Sequence, residues 1–273
     1  MQAVAKGKDL IYATGGCSGT CILSYPEGKL VGTLDVGNGG TACADTFGNV
    51  YITDQNAVLE FAHGGTTPVN TYPISNATAT TCSVDSTTGD LAVAVNQSSG
   101  YDVAIFSSPS APPMTYTVTD GVAYCGYDDE GNLFADGRTN YGLTLNELPK
   151  HGGAFKPISI NVETNPGQVQ WDGKYLALEG FGVTRGATVY RLNIAGYSAT
   201  VAHRVRFKGI TKSALLSWIW RDRIFIPYGI PGDGPRKTRI GIWKYPGGGK
   251  PLQVIKISQN PDLQAVAFSA GAP

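Results

Sequence analysis

Residues 41–61 read TACADTFGNVYITDQNAVLEF and hold three short apolar runs separated by polar turns. TACAD leads into the turn TFGN, VYITD follows the turn, and VLEF comes after a second break. Short runs rich in β-branched and aromatic residues, bounded by Gly, Asn and Asp, are typical of strands. The stretch therefore predicts consecutive antiparallel β-strands joined by tight turns.

The run VYITD recurs along the whole chain. Related runs begin at spacings of 40, 41, 42, 42 and 49 residues, and they start at Leu10, Val50, Leu91, Leu133, Tyr175 and Ile224. An apolar run precedes each polar turn, and a third run, a Gly/Pro turn and a fourth run follow. Four short strands in each repeat of about forty residues predict the blade of a β-propeller.

Six such units predict an all-β, six-bladed β-propeller that occupies residues 1–273 as a single domain. The sequence enters at the second strand of a blade, LIYATG, and finishes with a lone first strand, LQAVAFS from Leu263. We expect this last strand to become the innermost strand of the N-terminal blade. Such a closure joins the ring and removes exposed sheet edges.

The turn pattern also carries a resemblance to a known superfamily. TACADTFGNVYITD and AYCGYDDEGNLFADG are similar to NHL-type blades, in which a D-x-x-G-N turn links the first two strands. The resemblance covers most of the chain at the level of the superfamily, which includes gluconolactonase-like and paraoxonase-like enzymes and calcium-dependent phosphotriesterases. It implies a six-bladed fold whose function lies at a tunnel mouth.

The composition and the net charge limit the kinds of partner that the protein can bind. The 21 Lys and Arg balance the 21 Asp and Glu, so the sequence lacks the basic surplus of a nucleic-acid binder. No apolar stretch approaches the ~18 residues of a membrane span. We expect a monomer with a small-molecule ligand or substrate at the channel mouth. The charge-poor, Ser/Thr/Asn/Gly-rich composition favours a secreted or periplasmic protein, and we expect no signal peptide within this sequence.

Propeller topology predicts which loops surround the channel. Fourth-to-first and second-to-third connections share one face, where ligands of this fold usually bind. The fourth-to-first connections carry a ring of amide and carboxylate side chains, namely Asn38, Asn76, Asp120, Asn165 and Asn260. Their oxygens suit Ca²⁺, and calcium-dependent hydrolases of the resembled superfamily hold their ion with Asn, Asp and Glu. Ordinary turn chemistry explains the same residues equally directly, because Asn-Gly, Asp-Gly and Asn-Pro favour turns.

The same face supplies the other candidate site residues. Water activation is assigned to Asp120, Glu163 or Asp262, and substrate contacts to Arg138, Arg185, Arg236 and Trp218. Arginines suit carboxylates or phosphates, and Trp218 suits an apolar group. As alternatives, the arginines are solvated charges on exposed loops, and Trp218 packs in the core between blades.

The cysteines and histidines favour structural roles. Cys43 and Cys82 occupy near-equivalent positions on neighbouring first strands, so a disulfide between them is sterically conceivable. Cys17 and Cys21 flank a hairpin and form a second candidate pair, which leaves Cys125 free. No histidine is placed for general base catalysis.

The sequence leaves two main functions open. The first is a hydrolase of lactone, ester or phosphotriester bonds that uses a bound divalent cation, Ca²⁺ being the best fit. The alternative is a non-catalytic NHL-like binding or scaffold propeller for a protein, glycan or small ligand. A lyase of the strictosidine-synthase type is a weaker third hypothesis.

Overall fold

The structure is a computed structural model that describes residues 7–36, 40–97, 100–180, 187–210, 216–229, 238–257 and 263–271. In these residues it contains strands and no helix, so no helix has the length and apolarity that a membrane span requires. The candidates Asn38, Asn260, Asp262, Arg185 and Arg236 lie outside the described residues.

The strands follow the predicted repeat. The first eleven are β1 (Leu10–Gly16), β2 (Gly19–Ser24), β3 (Leu30–Leu34), β4 (Ala42–Ala44), β5 (Val50–Asp54), β6 (Ala57–Phe61), β7 (Asn70–Pro73), β8 (Thr78–Val84), β9 (Leu91–Gln97), β10 (Gly100–Phe106) and β11 (Met114–Thr117). The next five are β12 (Tyr124–Tyr127), β13 (Leu133–Thr139), β14 (Gly142–Leu148), β15 (Lys156–Pro157) and β16 (Ser159–Ile160). The last nine are β17 (Val169–Trp171), β18 (Leu176–Gly180), β19 (Ala187–Ala195), β20 (Ser198–Phe207), β21 (Trp218–Trp220), β22 (Arg223–Gly229), β23 (Thr238–Lys244), β24 (Gln253–Lys256) and β25 (Ala265–Ser269).

These strands form six small sheets, which are the six blades of a β-propeller. From the inner to the outer strand, blade 1 is β25-β1-β2-β3, blade 2 is β4 to β7, blade 3 is β8 to β11 and blade 4 is β12 to β15. Blade 5 is β17 to β20 with β16 added outside β20, and blade 6 is β21 to β24. The predicted fold class is confirmed.

The ring closes through its last strand. β25 pairs antiparallel with β1, from Leu10 opposite Ser269 to Thr14 opposite Ala265. Beyond this ladder, the backbone N–H of Gly271 donates to Asp9 Oδ1 at 3.0 Å. The C-terminal strand is therefore the innermost strand of blade 1, as the sequence predicts.

The core consists of one apolar cluster between each pair of neighbouring blades. Alternation along a strand produces this arrangement, because successive side chains point to opposite faces of a sheet. In β5, Val50 and Ile52 join the cluster shared with blade 1, whereas Tyr51 joins the cluster shared with blade 3. Each blade is thus apolar on both faces.

Blade 5 departs from the predicted four strands. The chain leaves blade 4 as β15 and then adds β16 in parallel to β20, with Ser159 opposite Ser198. β20 is ten residues long, and β16 covers part of the edge that it would otherwise expose. This segment links blades 4 and 5 at the periphery.

Two disulfides match the predicted pairings. Cys17–Cys21 spans the β1–β2 hairpin, and Cys43–Cys82 joins the inner strands β4 and β8 of neighbouring blades. Cys125 is free and fully buried, and burial raises the pKa of its thiol to about 12. Such a thiol is protonated at neutral pH and is a poor nucleophile.

Candidate functional site

An aspartate organises each D-x-x-G-N turn between the first and second strands. Asp45 Oδ1 accepts hydrogen bonds from the backbone N–H of Phe47 (2.9 Å) and Asn49 (2.8 Å), and its Oδ2 accepts from Asn49 Nδ2 (2.7 Å). Gly48 has φ 86°, a conformation that favours glycine. Asp128 binds Glu130 and Asn132 in the same way in blade 4. These carboxylates are turn caps.

Blade 3 uses a hydroxyl-rich version of this turn. Asp85 Oδ1 accepts from the backbone N–H of Thr87 at 2.7 Å and from its hydroxyl at 2.8 Å. Asp85 Oδ2 accepts from the Thr88 hydroxyl at 3.0 Å. The carboxylate is buried behind a row of exposed hydroxyl side chains that includes Ser86.

A pocket of about 570 Å³ opens on the face of these turns. One wall is apolar and comes from the inner strands of blades 6 and 1, with Trp218, Ile219, Trp220 and Phe268. The other wall comes from the turns of blades 2 and 3. It contains Asp45, Thr46, Phe47, Asp85, Ser86, Thr87 and Thr88. The pocket lies on the face opposite to the one where the sequence analysis predicts the site.

Trp218 forms the inner end of this pocket. The side chain packs against three of the six core clusters, those between blades 6 and 1, 1 and 2, and 2 and 3. Its indole therefore reaches across the centre of the ring. Gln170 braces the same end, because its amide accepts from Ile219 N and donates to Ile219 O, both at 2.8 Å.

The apolar wall is a stack of three planar groups. Trp220 lies against Phe268, with ring centroids 4.1 Å apart. The exposed guanidinium of Arg221 lies 4.4 Å from the Trp220 ring. Such stacking fixes the orientation of a guanidinium. Among the residues described as lining the pocket, Arg221 is the only cation.

A tyrosine and carboxylate network lies behind the pocket between blades 2 and 3. Tyr51 donates to Asp45 Oδ2 at 3.4 Å, and Tyr72 donates to Glu60 Oε2 at 2.9 Å. Glu60 also accepts from Asn70 Nδ2 at 2.8 Å. Burial, with the nearby carboxylates, raises the pKa of both tyrosines above the ordinary value. The phenols stay protonated, and their hydrogen bonds connect residues within blade 2.

Two buried acids lie on second strands toward the opposite face, Asp136 in the middle of β13 and Glu179 near the end of β18. Asp136 accepts from Tyr124 N (3.1 Å) and Gly167 N (2.9 Å), and Glu179 Oε2 accepts from Ser217 N (3.0 Å). Each therefore ties its own blade to the entry of the next blade. Burial raises the pKa of Asp136 well above its ordinary value and that of Glu179 to about 7.

The predicted metal ligands within the described residues lie on that opposite face. Asn76 is exposed with φ 55°, which is the turn conformation that Asn tolerates, and Asp120 and Asn165 are partly exposed. In the described part of the chain, no group of three or more His, Cys, Asp or Glu could hold a metal ion. The predicted ring is mostly Asn, so the calcium site stays a prediction.

The other predicted site residues are placed as follows. Glu163 and Arg138 are exposed, and neither lines the pocket. Trp218 does line the pocket, and its contact with a substrate stays a prediction. The sequence analysis did not predict the aromatic stack or the hydroxyl groups of blade 3. WIWR marks the stack in the sequence and STTG marks the hydroxyl groups, and each segment lies next to the end of a first strand.

One serine and histidine pair resembles catalytic machinery in composition only. His63 Nδ1 lies 2.6 Å from Ser269 Oγ, and Ser269 donates its hydroxyl hydrogen to Gly48 O. Because a hydroxyl has one hydrogen, His63 is the donor in its contact with Ser269. A general base must accept that hydrogen, so the pair has the wrong polarity for nucleophile activation. It joins β25 to the turn of blade 2.

Comparisons with known proteins support the fold alone. No protein-family profile and no curated protein matches the chain. A chain of a nidogen/laminin complex aligns with TM-score 0.69 and 11% identity, over 97% of this chain and 99% of that one. A Bacteroides caccae protein of unknown function gives 0.65 and 10% over 96% and 99%, and a putative TolB from Agrobacterium tumefaciens gives 0.61 and 12% over 97% and 99%. The chain is a six-bladed β-propeller, and the NHL-type superfamily remains a resemblance.

Proposed function

We propose that this chain is a binding propeller that seats a ligand in the pocket on the face of the first-to-second turns. The observation that carries the proposal is a pocket of about 570 Å³ with one aromatic and one polar wall. Ligand sites are typically concave, largely preformed and of ~300–1,000 Å³. Trp218 and the Gln170 amide make the inner end rigid, which lowers the entropic cost of binding.

The chemistry of the pocket favours binding over catalysis. Asp45 and Asp85, the carboxylates that line it, are committed to several hydrogen bonds each within their own turns. Tyr51 is a buried phenol with a raised pKa. A general acid or base must be free to exchange a proton with the substrate, and these groups are occupied. A hydrolase with a divalent cation on the opposite face is a separate proposal, and calcium binding tests it.

The experiment is a ligand-observed NMR screen of a fragment library against the intact protein. Thr46→Trp places a bulky side chain at the pocket rim and should abolish the binding of most hits. The matched control is Asp129→Trp, at the same exposed turn position in blade 4, away from the pocket. Hits that bind both variants equally, or a screen without hits, would overturn the pocket as the functional site.

We also propose that the protein works outside the cytoplasm. The support is its two disulfides, which persist in oxidising compartments. Protein taken from its native cells and denatured without reductant should react with iodoacetamide at Cys125 only. Alkylation of all five cysteines would contradict the proposal.

A further inference from the structure

We infer that the ligand of the pocket is a neutral saccharide, bound with its C–H groups against the aromatic wall and its hydroxyl groups on the turn of blade 3. The inference rests on the proposed function of the pocket and names the ligand class. A sugar ring is apolar on its faces and polar around its rim. The pocket has the same division, since Trp218, Trp220 and Phe268 face a wall that includes Ser86, Thr87 and Thr88.

The threonine hydroxyl groups on the turn of blade 3 have defined donor and acceptor roles. Thr87 and Thr88 each donate their hydroxyl hydrogen to the buried Asp85 carboxylate. Their oxygens accept one further bond each, from Lys150 Nζ at 2.9 Å and from the backbone N–H of Asp90 at 3.2 Å. Each oxygen keeps one lone pair, because a hydroxyl oxygen has two. Both oxygens can therefore accept a hydrogen bond from a ligand rich in donors, as a sugar is.

The charges lining the pocket favour a neutral ligand. A carboxylate or phosphate on the turn of blade 3 would place acceptors against acceptors, with the buried Asp85 charge behind them. The lining carries both signs of charge, with Asp45 and Asp85 on the turns, Arg221 on the aromatic wall and Lys150 beside the turn of blade 3, so it offers no single-sign site for a charged ligand. Ligand hydroxyl groups bind the turn of blade 3 without a net charge. The volume of about 570 Å³ admits a short oligosaccharide.

The rim adds a free aromatic face. Phe47 is 86% exposed on the turn of blade 2 and lines the pocket mouth. A large aromatic side chain left in water on a tight turn gains nothing from the fold. A saccharide that extends from the pocket would cover this ring.

Tryptophan fluorescence tests the inference, because Trp218 and Trp220 lie in the pocket. The probes are cellotriose, maltotriose and triacetylchitotriose as neutral sugars, with trigalacturonic acid and deacetylated chitotriose as charged counterparts. At least one neutral probe should give a saturable change below about 10 mM, and its charged counterparts should bind more weakly. Tighter binding of a charged probe would overturn the inference.

Variants of one hydroxyl separate recognition from folding. Thr87→Val should weaken the sugar by about tenfold, the effect of one lost hydrogen bond, and Thr87→Ser should restore it. Glu130→Ala, at the equivalent position in blade 4, is the matched control. Equal affinity of Thr87→Val and wild type would contradict the assigned contact. Fragment hits in the pocket without sugar binding would overturn the saccharide class alone, whereas no hits of either kind would overturn the proposed function.

Discussion

At the scale of single residues, buried acids join neighbouring blades. Glu179 is 1% exposed, its Oε2 accepts from Ser217 N, and its Oε1 is a buried atom without a hydrogen-bond partner among the residues that the structure describes. Asp136 makes the equivalent link from blade 4 to blade 5. Asp54, Asn96, Asp136 and Glu179 recur on second strands, but the exposed Asn96 shows that recurrence alone does not reveal which member is buried.

We predict that Glu179→Gln becomes progressively more stabilising, relative to wild type, as pH rises from 5 to 8. The folded-state pKa of about 7 exceeds the ordinary 4.5, so the folded protein retains a proton that the unfolded chain has lost. Stability from this group therefore falls through that window, by about 3 kcal/mol in all. Urea unfolding at several pH values measures the difference. Glu163→Gln, an exposed acid, is the control, and a pH-independent effect at Glu179 would contradict the prediction.

Ser269→Ala should destabilise the protein by about 1–3 kcal/mol, because Gly48 O and His63 Nδ1 would lose their buried partner. Ser269 is fully buried at the end of the closing strand. Ser110→Ala, on an exposed turn, should change stability by less than about 0.5 kcal/mol. Thermal unfolding compares the two variants, and equal melting temperatures would refute the role assigned to the Ser269 contact.

At the scale of elements, one disulfide joins two blades and the other lies within a single hairpin. Cys43 and Cys82 are 39 residues apart on inner strands, whereas Cys17 and Cys21 are four apart. The Cys43–Cys82 bond also lies in the cluster that contains Tyr51, a residue of the pocket.

Removing the disulfide between blades should lower the free energy of unfolding more than removing the hairpin disulfide. Loop-closure entropy predicts losses of about 4 kcal/mol for Cys43→Ala with Cys82→Ala and about 2 kcal/mol for Cys17→Ala with Cys21→Ala. Denaturant unfolding of both double variants measures the two losses. A larger loss from the hairpin pair would contradict the prediction.

The strands of this fold could be predicted from sequence because the information is local. VYITD alternates between two buried faces, and the D-x-x-G-N turn encodes its own hydrogen bonds. β16 could not be predicted, because a two-residue strand is recruited by the exposed edge of β20. The pocket could not be predicted either, since it depends on Trp218 crossing the ring to reach side chains from blades 1 to 3.

At the scale of the whole molecule, the two faces carry different chemistry. One face has the pocket among the first-to-second turns, and the other has the predicted Asn and Asp ring, of which Asn76, Asp120 and Asn165 are described. The two sites can be tested independently because they lie on opposite faces.

Calcium should raise the melting temperature of EDTA-treated protein if the predicted ring binds the ion. A site at one hundred times its Kd contributes about 2.7 kcal/mol to folding. Asn165→Ala should remove the shift, whereas Thr46→Trp, on the pocket face, should retain it. Absence of a shift with Ca²⁺, Mg²⁺, Mn²⁺ or Zn²⁺ would end the metal-dependent hydrolase hypothesis.

The closing ladder also determines how the ring responds to mechanical force. Gly7 lies against Gly271, and Leu10 pairs with Ser269 at that same end of the two antiparallel strands. Tension applied at these two points loads the Leu10–Ser269 pair first and then each pair in succession, as in a zipper, instead of shearing all five together. Once β25 has peeled away, blade 1 loses its innermost strand. Tension along the line that joins residues 7 and 271 is therefore resisted by only one backbone pair at a time.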